Sequence, residues 1–245
     1  MSGAALAWQQ FRIERKLFWR NPSAAFFSFI LPLTLLLLVA SVFADDASEL
    51  DVLIPGVAGM SVMATTFNAM AYNLTFLREQ GILKRMRGTP MPTGSYFAGF
   101  LGNAVANAFV QVGLVVIVGH FLYDVAWPKD WFELAVFTVV GVITFGSLGI
   151  ALSHAIPNFD SASAYVNALF LPAIMISGVF YSSDSLPAGL AAVAEALPLK
   201  HVIDGFSDAI VTGQGLSHEL GALAVLALWG VAGIFLAIRG FRWER

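Results

Sequence analysis

Six long runs of apolar residues constrain the fold of this chain more than any other feature. Each run is close to the roughly 20 residues that a helix needs to cross the hydrocarbon core of a bilayer. The centres of all six runs contain no Asp, Glu, Lys or Arg. The chain is therefore predicted to be an all-α polytopic membrane protein with a single transmembrane domain over residues 1–245. The six predicted spans are residues 23–44, 52–75, 96–122, 131–155, 162–181 and 220–238.

Composition agrees with this class and removes several kinds of chemistry. Charged residues make up 12% of the chain, about half the share found in soluble domains. The chain has no cysteine, which excludes disulfides, thiol nucleophiles and cysteine-ligated metals. It contains no G-x-x-x-x-G-K-[ST], H-E-x-x-H or G-x-S-x-G motif, so we expect no catalytic residues and no cofactor in this chain. The histidines are scattered over loops and span ends and are expected to be interface residues rather than metal ligands: His120, His154, His201 and His218.

The distribution of positive charge predicts the orientation. Eleven of the 13 Lys and Arg residues lie in three segments, residues 1–21, 76–92 and 239–245. Cytoplasmic loops near span ends carry such an excess of cations. Both termini are therefore predicted to be cytoplasmic, and we expect the first apolar run to be a retained span rather than a cleaved signal peptide.

Two segments outside the predicted spans are expected to lie at the membrane surfaces. Residues 1–21 mix aromatic and basic side chains, which favours a helix on the cytoplasmic leaflet; a flexible basic tail is the alternative. Residues 182–215 contain two short apolar stretches interrupted by prolines and a glycine. Each stretch is too short to cross the bilayer, so we predict an external re-entrant helical hairpin before the last span.

Polar residues inside three of the predicted spans are candidates for a substrate path. Three lie on one helical face of the second span, and three follow at four-residue intervals in the third. Amides inside a membrane bundle can equally serve to hydrogen-bond packed helices to one another, and the sequence leaves both interpretations open. The candidates are Thr65, Asn68, Tyr72, Asn103, Asn107, Gln111 and Asn167.

The most charged part of the chain is the segment 76–92, FLREQGILKRMRGTPMP. Gly81 and Gly88 loosen its backbone, and Pro90 and Pro92 stop a helix from continuing. A segment so rich in charge between two membrane spans must lie in water. We therefore predict a structured cytoplasmic surface through which a soluble partner moves the membrane part.

This segment resembles the docking loop of type-2 permeases, the membrane subunits of ATP-binding cassette exporters. Their loop has the form [FL]-x-x-E-[KQR]-x-x-G-x-[LM]-x-x-[LM]-x-x-[TS]-P. The stretch 167–180, followed by Leu-Pro at 186–187 and 197–198, is similar to the fifth-span signature and external hairpin of the same family. The arrangement resembles most closely the drug-resistance branch typified by daunorubicin exporters. The loop residues that carry the resemblance are Phe76, Glu79, Gln80, Leu83, Met86, Thr89, Pro90 and Met91.

The resemblance implies a complex of two permease copies and two ATPase subunits in the plasma (inner) membrane of a prokaryote. ATP and Mg²⁺ would be bound by the ATPase subunits, and the permease would move an amphipathic substrate outward by alternating access. Membrane lipids are further expected partners, and nucleic acid is not. Glu79 would pair with a basic ATPase residue. The residues that the resemblance assigns to coupling are Arg78, Glu79, Gln80, Lys84, Arg85, Arg87 and Asp160.

Other functions remain possible from the sequence. An integral membrane enzyme acting on lipid would need clustered acidic residues and histidines at an interface. The candidates for it lie in the external hairpin, at Asp184, Glu195, His201, Asp204 and Asp208. A self-gated channel and a membrane scaffold without transport activity are the remaining alternatives.

Overall fold

The structure is a computed structural model that describes residues 2–42, 47–88, 92–181 and 186–240. The side chains of residues 24, 27, 47, 86 and 87 are outside this description. Several residues singled out above therefore lie outside the described part: the Arg87 side chain, the Met86 side chain, Thr89, Pro90, Met91 and Asp184.

The described residues form helices joined by turns, with no strand. Within the described ranges, twelve α-helices follow one another, and three short π-helical segments interrupt them at Phe26–Ile30, Ala64–Asn68 and Asp208–Thr212. In chain order the α-helices are α1 Gly3–Trp19, α2 Pro22–Ala25, α3 Leu31–Val42, α4 Ala47–Met63, α5 Ala69–Glu79, α6 Ile82–Arg87, α7 Thr93–Tyr123, α8 Trp131–Ala155, α9 Phe159–Ile176, α10 Ala188–Ala196, α11 Pro198–Ser207 and α12 Leu220–Gly240.

Five helical stretches of the described chain are long and apolar enough to cross a membrane. This confirms an all-helical, multi-pass membrane protein. The first predicted span appears as a shorter apolar helix, Ser28–Val42, so the count of six spans stays a prediction. The five long stretches are Ser48–Glu79, Thr93–Tyr123, Trp131–Ala155, Phe159–Ile176 and Leu220–Gly240.

The boundaries of the second span differ from the prediction of 52–75. The helix continues to Glu79, because the first residue that breaks it is Gly81, whose φ of 67° is left-handed. The fifth predicted span, 162–181, is also shifted toward the N-terminus. Its helix α9 begins at Phe159 after the N-cap Asn158, whose side chain accepts a hydrogen bond from the Ser161 N–H, and it ends at Ile176.

The π-helical segment Ala64–Asn68 lies in the middle of the long second span. Thr65 and Thr66 donate their hydroxyls to the carbonyls of Ser61 and Val62, one turn earlier, and such back-bonding loosens a helix locally. Helix α8 approaches this segment closely at Gly149, where a Cβ atom would lie 2.5 Å from the Phe67 carbonyl oxygen. Only glycine permits this approach.

Helix α1 packs along the first half of α7. At Gly99, a Cβ atom would lie 2.6 Å from the Ala7 carbonyl oxygen, so the two helices cross almost in backbone contact. Trp8 and Trp19 remain exposed on α1. The helix predicted within residues 1–21 is therefore present, and its position on the membrane surface stays a prediction.

The predicted hairpin region contains two short helices, α10 and α11. Helix α11 is inserted among α4, α8 and α12, and most of its side chains are buried. Ile203 packs on Gly59 of α4, Val202 packs on Gly141 of α8, and Phe137 of α8 fills the space beside Gly205. This insertion positions the chain that follows α11 beside the beginning of α8.

Candidate functional site

The charged segment after the second span folds into a corner between α5 and α6. Gly81 reverses the chain, and α6 is held in place by Leu83, which is 2% exposed. The corner lies where α8 ends and α9 begins. We refer to this side of the bundle, which also contains the end of α12, as the cation-rich end.

Arg78 joins the end of α5 to the end of α8. Its guanidinium donates one hydrogen bond to the Ser153 carbonyl at 2.8 Å and another to the Ile156 carbonyl at 2.5 Å. The last carbonyls of a helix lack partners within the helix and carry partial negative charge. Arg78 thus caps α8 from a position 75 and 78 residues earlier in the chain.

Glu79 joins the same corner to the beginning of α9. Its carboxylate accepts a hydrogen bond from the Phe159 N–H at 2.6 Å, and a negative charge is favourable at a helix N-terminus. The rings of Phe76 and Phe159 pack edge to face, with centroids 5.4 Å apart. Two neighbouring charges on α5 therefore fix the ends of two other helices with the signs that those ends require.

The other predicted coupling residues are on the outside of this corner. Gln80, Lys84 and Arg85 are exposed after the end of α5, and Asp160 is exposed in the first turn of α9. The structure thus brings the described members of the predicted coupling set to one surface. Arg78 and Glu79 hold that surface to the bundle, a role that the sequence analysis did not assign to them.

Four of the seven predicted substrate-path residues line one cavity. The cavity has a volume of about 690 Å³ and lies between α1, the second span and α7. These four residues are Thr65, Tyr72, Asn103 and Asn107. We call this space the amide cavity.

Helix α1 supplies polar residues to the amide cavity that the sequence analysis did not include. Gln10 and Glu14 line it and are joined by a hydrogen bond of 2.7 Å. Arg15 donates a hydrogen bond to the Asn107 side-chain oxygen at 3.0 Å. The sequence contains one signal for this contact, because Arg15 falls among the aromatic residues on the helical wheel of α1 instead of among the other cations.

Three predicted substrate-path residues are not among the described residues that line the amide cavity. Gln111 is 0% exposed, and its side-chain nitrogen and oxygen have no partner in the described chain. Asn68 lies at the end of the π-helical segment. Asn167 lies on α9, where its amide reaches Ser163 at 3.4 Å.

A second cavity of about 1080 Å³ runs between α8, α9 and α12. Arg78, His154 and Arg239 line it at the cation-rich end of the bundle. From there its walls are largely apolar up to Trp229 and to residues 197–199, which join α10 to α11. We call it the apolar groove. It has the character of a site for an amphipathic molecule.

Of the described residues that an enzyme acting on lipid would need, Glu195, His201 and Asp204 lie near one another, and each is engaged with Lys200 or with the backbone. Lys200 forms ion pairs with Glu195 at 3.2 Å and Asp204 at 2.7 Å, and burial raises the pKa of the Asp204 carboxyl while Lys200 lowers it. His201 is bound to the backbone carbonyl of Glu195 at 2.9 Å. Asp208 belongs to a separate group of residues at the end of the bundle opposite the cation-rich end.

Comparison with known families identifies the class of this protein. Residues 4–211 match the model of the ABC-2 type transporter family. The match covers most of the chain, so the chain belongs to the ABC-2 type transporter family. The predicted resemblance to type-2 permeases is thereby confirmed.

Three curated relatives illustrate the similarity. The linearmycin resistance permease protein LnrN of Bacillus subtilis is 21% identical over 189 residues, which are 76% of this chain and 48% of that protein. The inner membrane transport permease YadH of Escherichia coli is 24% identical over 65% of this chain and 62% of its own length. Nodulation protein J of Rhizobium leguminosarum is 25% identical over 76% of this chain and 71% of its own length. The chain thus spans about half of LnrN and less than two thirds of YadH.

Proposed function

We propose that this chain is the transmembrane subunit of an ATP-driven exporter that moves an amphipathic substrate out of the cytoplasm or the inner leaflet. The substrate would be a drug, a lipid or a lipid-linked glycan, and transport would proceed by alternating access. Membership of the ABC-2 type transporter family and the five candidate spans support this proposal. The relative LnrN is named as a linearmycin resistance permease protein, which agrees with this proposal for that relative.

The energy for transport would come from a separate subunit. The centres of the apolar runs contain no ionisable residue, whereas ion-coupled carriers usually keep such residues at membrane depth. In the proposed complex, two copies of this chain would associate with two ATPase subunits, which would bind ATP and Mg²⁺. The complex would lie in the plasma membrane of a prokaryote.

The observation that carries the coupling proposal is the double attachment at Arg78 and Glu79. Because these neighbours bind the end of α8 and the beginning of α9, a displacement of the corner between α5 and α6 would move three helices together. The exposed residues Gln80, Lys84, Arg85 and Asp160 would meet the ATPase, and Arg87 stays a predicted member of this surface. Such a corner suits the transmission of force from a soluble partner.

A charge reversal at Glu79 tests this coupling. We expect Glu79→Lys to abolish substrate-stimulated ATP hydrolysis by the co-purified complex, because a cation replaces the anion at the N-terminus of α9. Glu79→Gln, which retains an acceptor for the Phe159 N–H, is the matched control and should keep most of the activity. The amount of ATPase subunit that co-purifies should change little in both variants. Full stimulation in Glu79→Lys would refute the assigned role.

The amide cavity is the proposed substrate path. Asn103→Leu keeps a side chain branched at Cγ and removes an amide oxygen that has no partner in the described chain. Because Asn103 lines a cavity with room for the larger side chain, the fold should tolerate the change. We expect it to reduce substrate stimulation severalfold while basal ATP hydrolysis persists. If Asn167→Leu has this effect and Asn103→Leu does not, the path follows the exposed face of α9 instead.

The absence of cysteine from the sequence permits a clean test of orientation. Single cysteines can be introduced at Ser2 and at Ser217, which are both exposed and lie near opposite ends of the bundle. In intact cells, a membrane-impermeant thiol reagent should label Ser217→Cys and leave Ser2→Cys unlabelled until the membrane is opened. Labelling in the reverse order would contradict the cytoplasmic N-terminus.

A further inference from the structure

The end of the bundle opposite the cation-rich end contains an acidic cluster that three separate parts of the chain build. These parts are the start of α8, the π-helical segment after α11 and the turn before α12. The Asp130 N–H donates to the Ala209 carbonyl at 3.0 Å, which joins the first two parts directly. We define the acidic cluster as Glu133, Asp208, His218 and Glu219.

Asp208 organises the turn that leads into α12. Its carboxylate accepts hydrogen bonds from the Thr212 hydroxyl, the Gln214 N–H and the Gly215 N–H, the last two at 3.0 Å. Gly213 and Gly215 take left-handed φ values of 69° and 90°, which glycine adopts without steric cost. The turn therefore wraps around this carboxylate and brings the residues that follow it close to Asp208.

Glu133 is the least expected member of the cluster. Its side chain is 0% exposed, and neither of its carboxylate oxygens has a hydrogen-bond donor among the described residues. Its charged neighbours are Asp208, Asp130 and Glu219, all of them acidic. A buried carboxylate without a donor is costly, and nearby like charges increase that cost.

The basic residues in this region do not neutralise the cluster. Lys129 extends its ammonium group to the Thr212 carbonyl oxygen at 3.5 Å, and its charge acts on Asp51, which is not part of the cluster. His218 lies beside Glu219, with Nδ1 at 3.3 Å from a carboxylate oxygen. A neutral imidazole would present a nitrogen lone pair there, as a metal ligand does.

The positions of three side chains fit a metal ion. One potential ligand atom from each of Asp208, His218 and Glu219 lies within 4.8 Å of the other two. Zinc binds His nitrogen and carboxylate oxygen at about 2.0–2.2 Å, so two ligands of one ion can be up to roughly 4 Å apart. Small side-chain adjustments would close the site.

We propose that Asp208, His218 and Glu219 bind a divalent transition-metal ion at this end of the bundle, with Glu133 supplying the buried negative charge beside it. An imidazole together with carboxylates suits Zn²⁺ or Mn²⁺, whereas Ca²⁺ and Mg²⁺ prefer sites made of oxygen alone. The ion would join the turn before α12 to α8 and to the segment that follows α11. It would bind from the external medium, because the cation-rich end is the predicted cytoplasmic side.

Metal binding by the full-length protein tests the proposal. The protein would be purified with a histidine-free tag, stripped with a chelator and titrated with Zn²⁺, Mn²⁺ and Ca²⁺ in separate calorimetric experiments. We expect saturable binding of one Zn²⁺ or Mn²⁺ per chain, and a metal-dependent rise in melting temperature. Titration with Co²⁺ would add visible absorption bands that report the ligand geometry.

Two positions in the turn before α12 provide variants that should still fold. His218 and Glu219 lie at the end of the turn before α12, where His218 is exposed and Glu219 is half-buried. Because glutamine is close to both side chains in size, His218→Gln and Glu219→Gln should leave the apo protein folded while each lowers metal affinity at least tenfold. Glu133→Gln should lower it about tenfold or more, as loss of a supporting residue does in other metal sites. Glu195→Gln, an exposed acid outside the cluster, is the matched control and should bind normally.

Three results would overturn the proposal. The stripped protein could fail to bind one metal ion per chain, or the His218→Gln/Glu219→Gln double variant could bind as the parent does. The third is a preference for Ca²⁺ that does not depend on His218. In the first case, a proton shared between Glu133 and Asp208 would account for the cluster instead. The measurement needs no transport activity, so its failure is separate from a failure of the proposed function.

Discussion

The two ends of the bundle handle charge in opposite ways. At the cation-rich end, Arg78 and Glu79 each meet a helix terminus of opposite partial charge, so the contacts are complete within the described chain. At the other end, Glu133 has acidic neighbours and no donor among the described residues. The first arrangement is typical of a rigid mechanical joint. The second is typical of a site that needs a proton or a cation from outside the chain.

The largest effect should come from removing the cap on α8. Arg78→Met leaves the carbonyls of Ser153 and Ile156 without their cationic donor, and hydrogen bonds to a charged group contribute about 1.5–3 kcal/mol each. We expect the free energy of unfolding to fall by about 2–4 kcal/mol, measured by denaturant titration in detergent micelles. Arg85→Met, at an exposed position in the same corner, should change it by less than about 0.5 kcal/mol. Equal effects of the two substitutions would mean that Arg78 does not stabilise the bundle more than an exposed residue of the same corner.

The next largest effect is expected at the opposite end. Asp208→Ala removes an acceptor that serves three donors in the turn before α12, and we expect a loss of about 1–3 kcal/mol in the metal-free protein. Hydrogen exchange should show faster opening of the backbone N–H groups of Gln214 and Gly215, with little change at the α5–α6 corner. A uniform change across the whole chain would mean that the turn is not a local unit.

A change of opposite sign should follow from neutralising Glu133. Glu133→Gln removes a buried charge among acids and adds an amide that can donate to Asp208. We expect the metal-free protein to become more stable by about 1 kcal/mol, seen as a higher melting temperature. Glu195→Gln should leave the melting temperature unchanged. Destabilisation by Glu133→Gln in metal-free buffer would show that the charge is compensated after all.

The smallest effect is expected at Glu14, a half-buried acid of α1 that lines the amide cavity. Burial raises the pKa of Glu14 above its usual 4.5, and the hydrogen bond from Gln10 opposes this shift. The contribution of the Glu14 carboxyl to the free energy of unfolding is fully present below pH 4.5. It is lost as the pH rises through the raised pKa of the folded state, because the folded protein then carries a partly buried charge. The melting temperatures of Glu14→Gln and of the parent protein should be equal at acid pH. Toward pH 7 they should diverge, with the higher melting temperature in the variant. A difference in melting temperature that does not change with pH would contradict this prediction.

Local patterns in the sequence were sufficient for the class and for most helices. The apolar runs predict membrane helices because hydrocarbon accepts only long stretches of apolar residues with internal hydrogen bonds. The amide spacing in α7 correctly predicts that Asn103, Asn107 and Gln111 share a buried face. The boundary at Glu79 was missed because no single residue marks the last turn of that helix before Gly81.

Local sequence patterns could not predict the contacts between segments that are far apart in the chain. Arg15 meets Asn107 across 92 residues, and Glu79 meets Phe159 across 80. The acidic cluster joins α8 to residues 208–219, and no metal-ligand spacing is visible within either stretch. Each of these pairs depends on which helices lie side by side.

By itself, the sequence determined that this protein is a multi-pass helical membrane protein with a charged, structured corner after its second span. It did so because hydropathy, charge and turn residues act over a few positions at a time. Only the tertiary structure decided that Arg78 and Glu79 fix the ends of α8 and α9, and that Glu133 lies beside Asp208. Helix packing sets those distances, and packing is a property of side chains that are far apart in the chain.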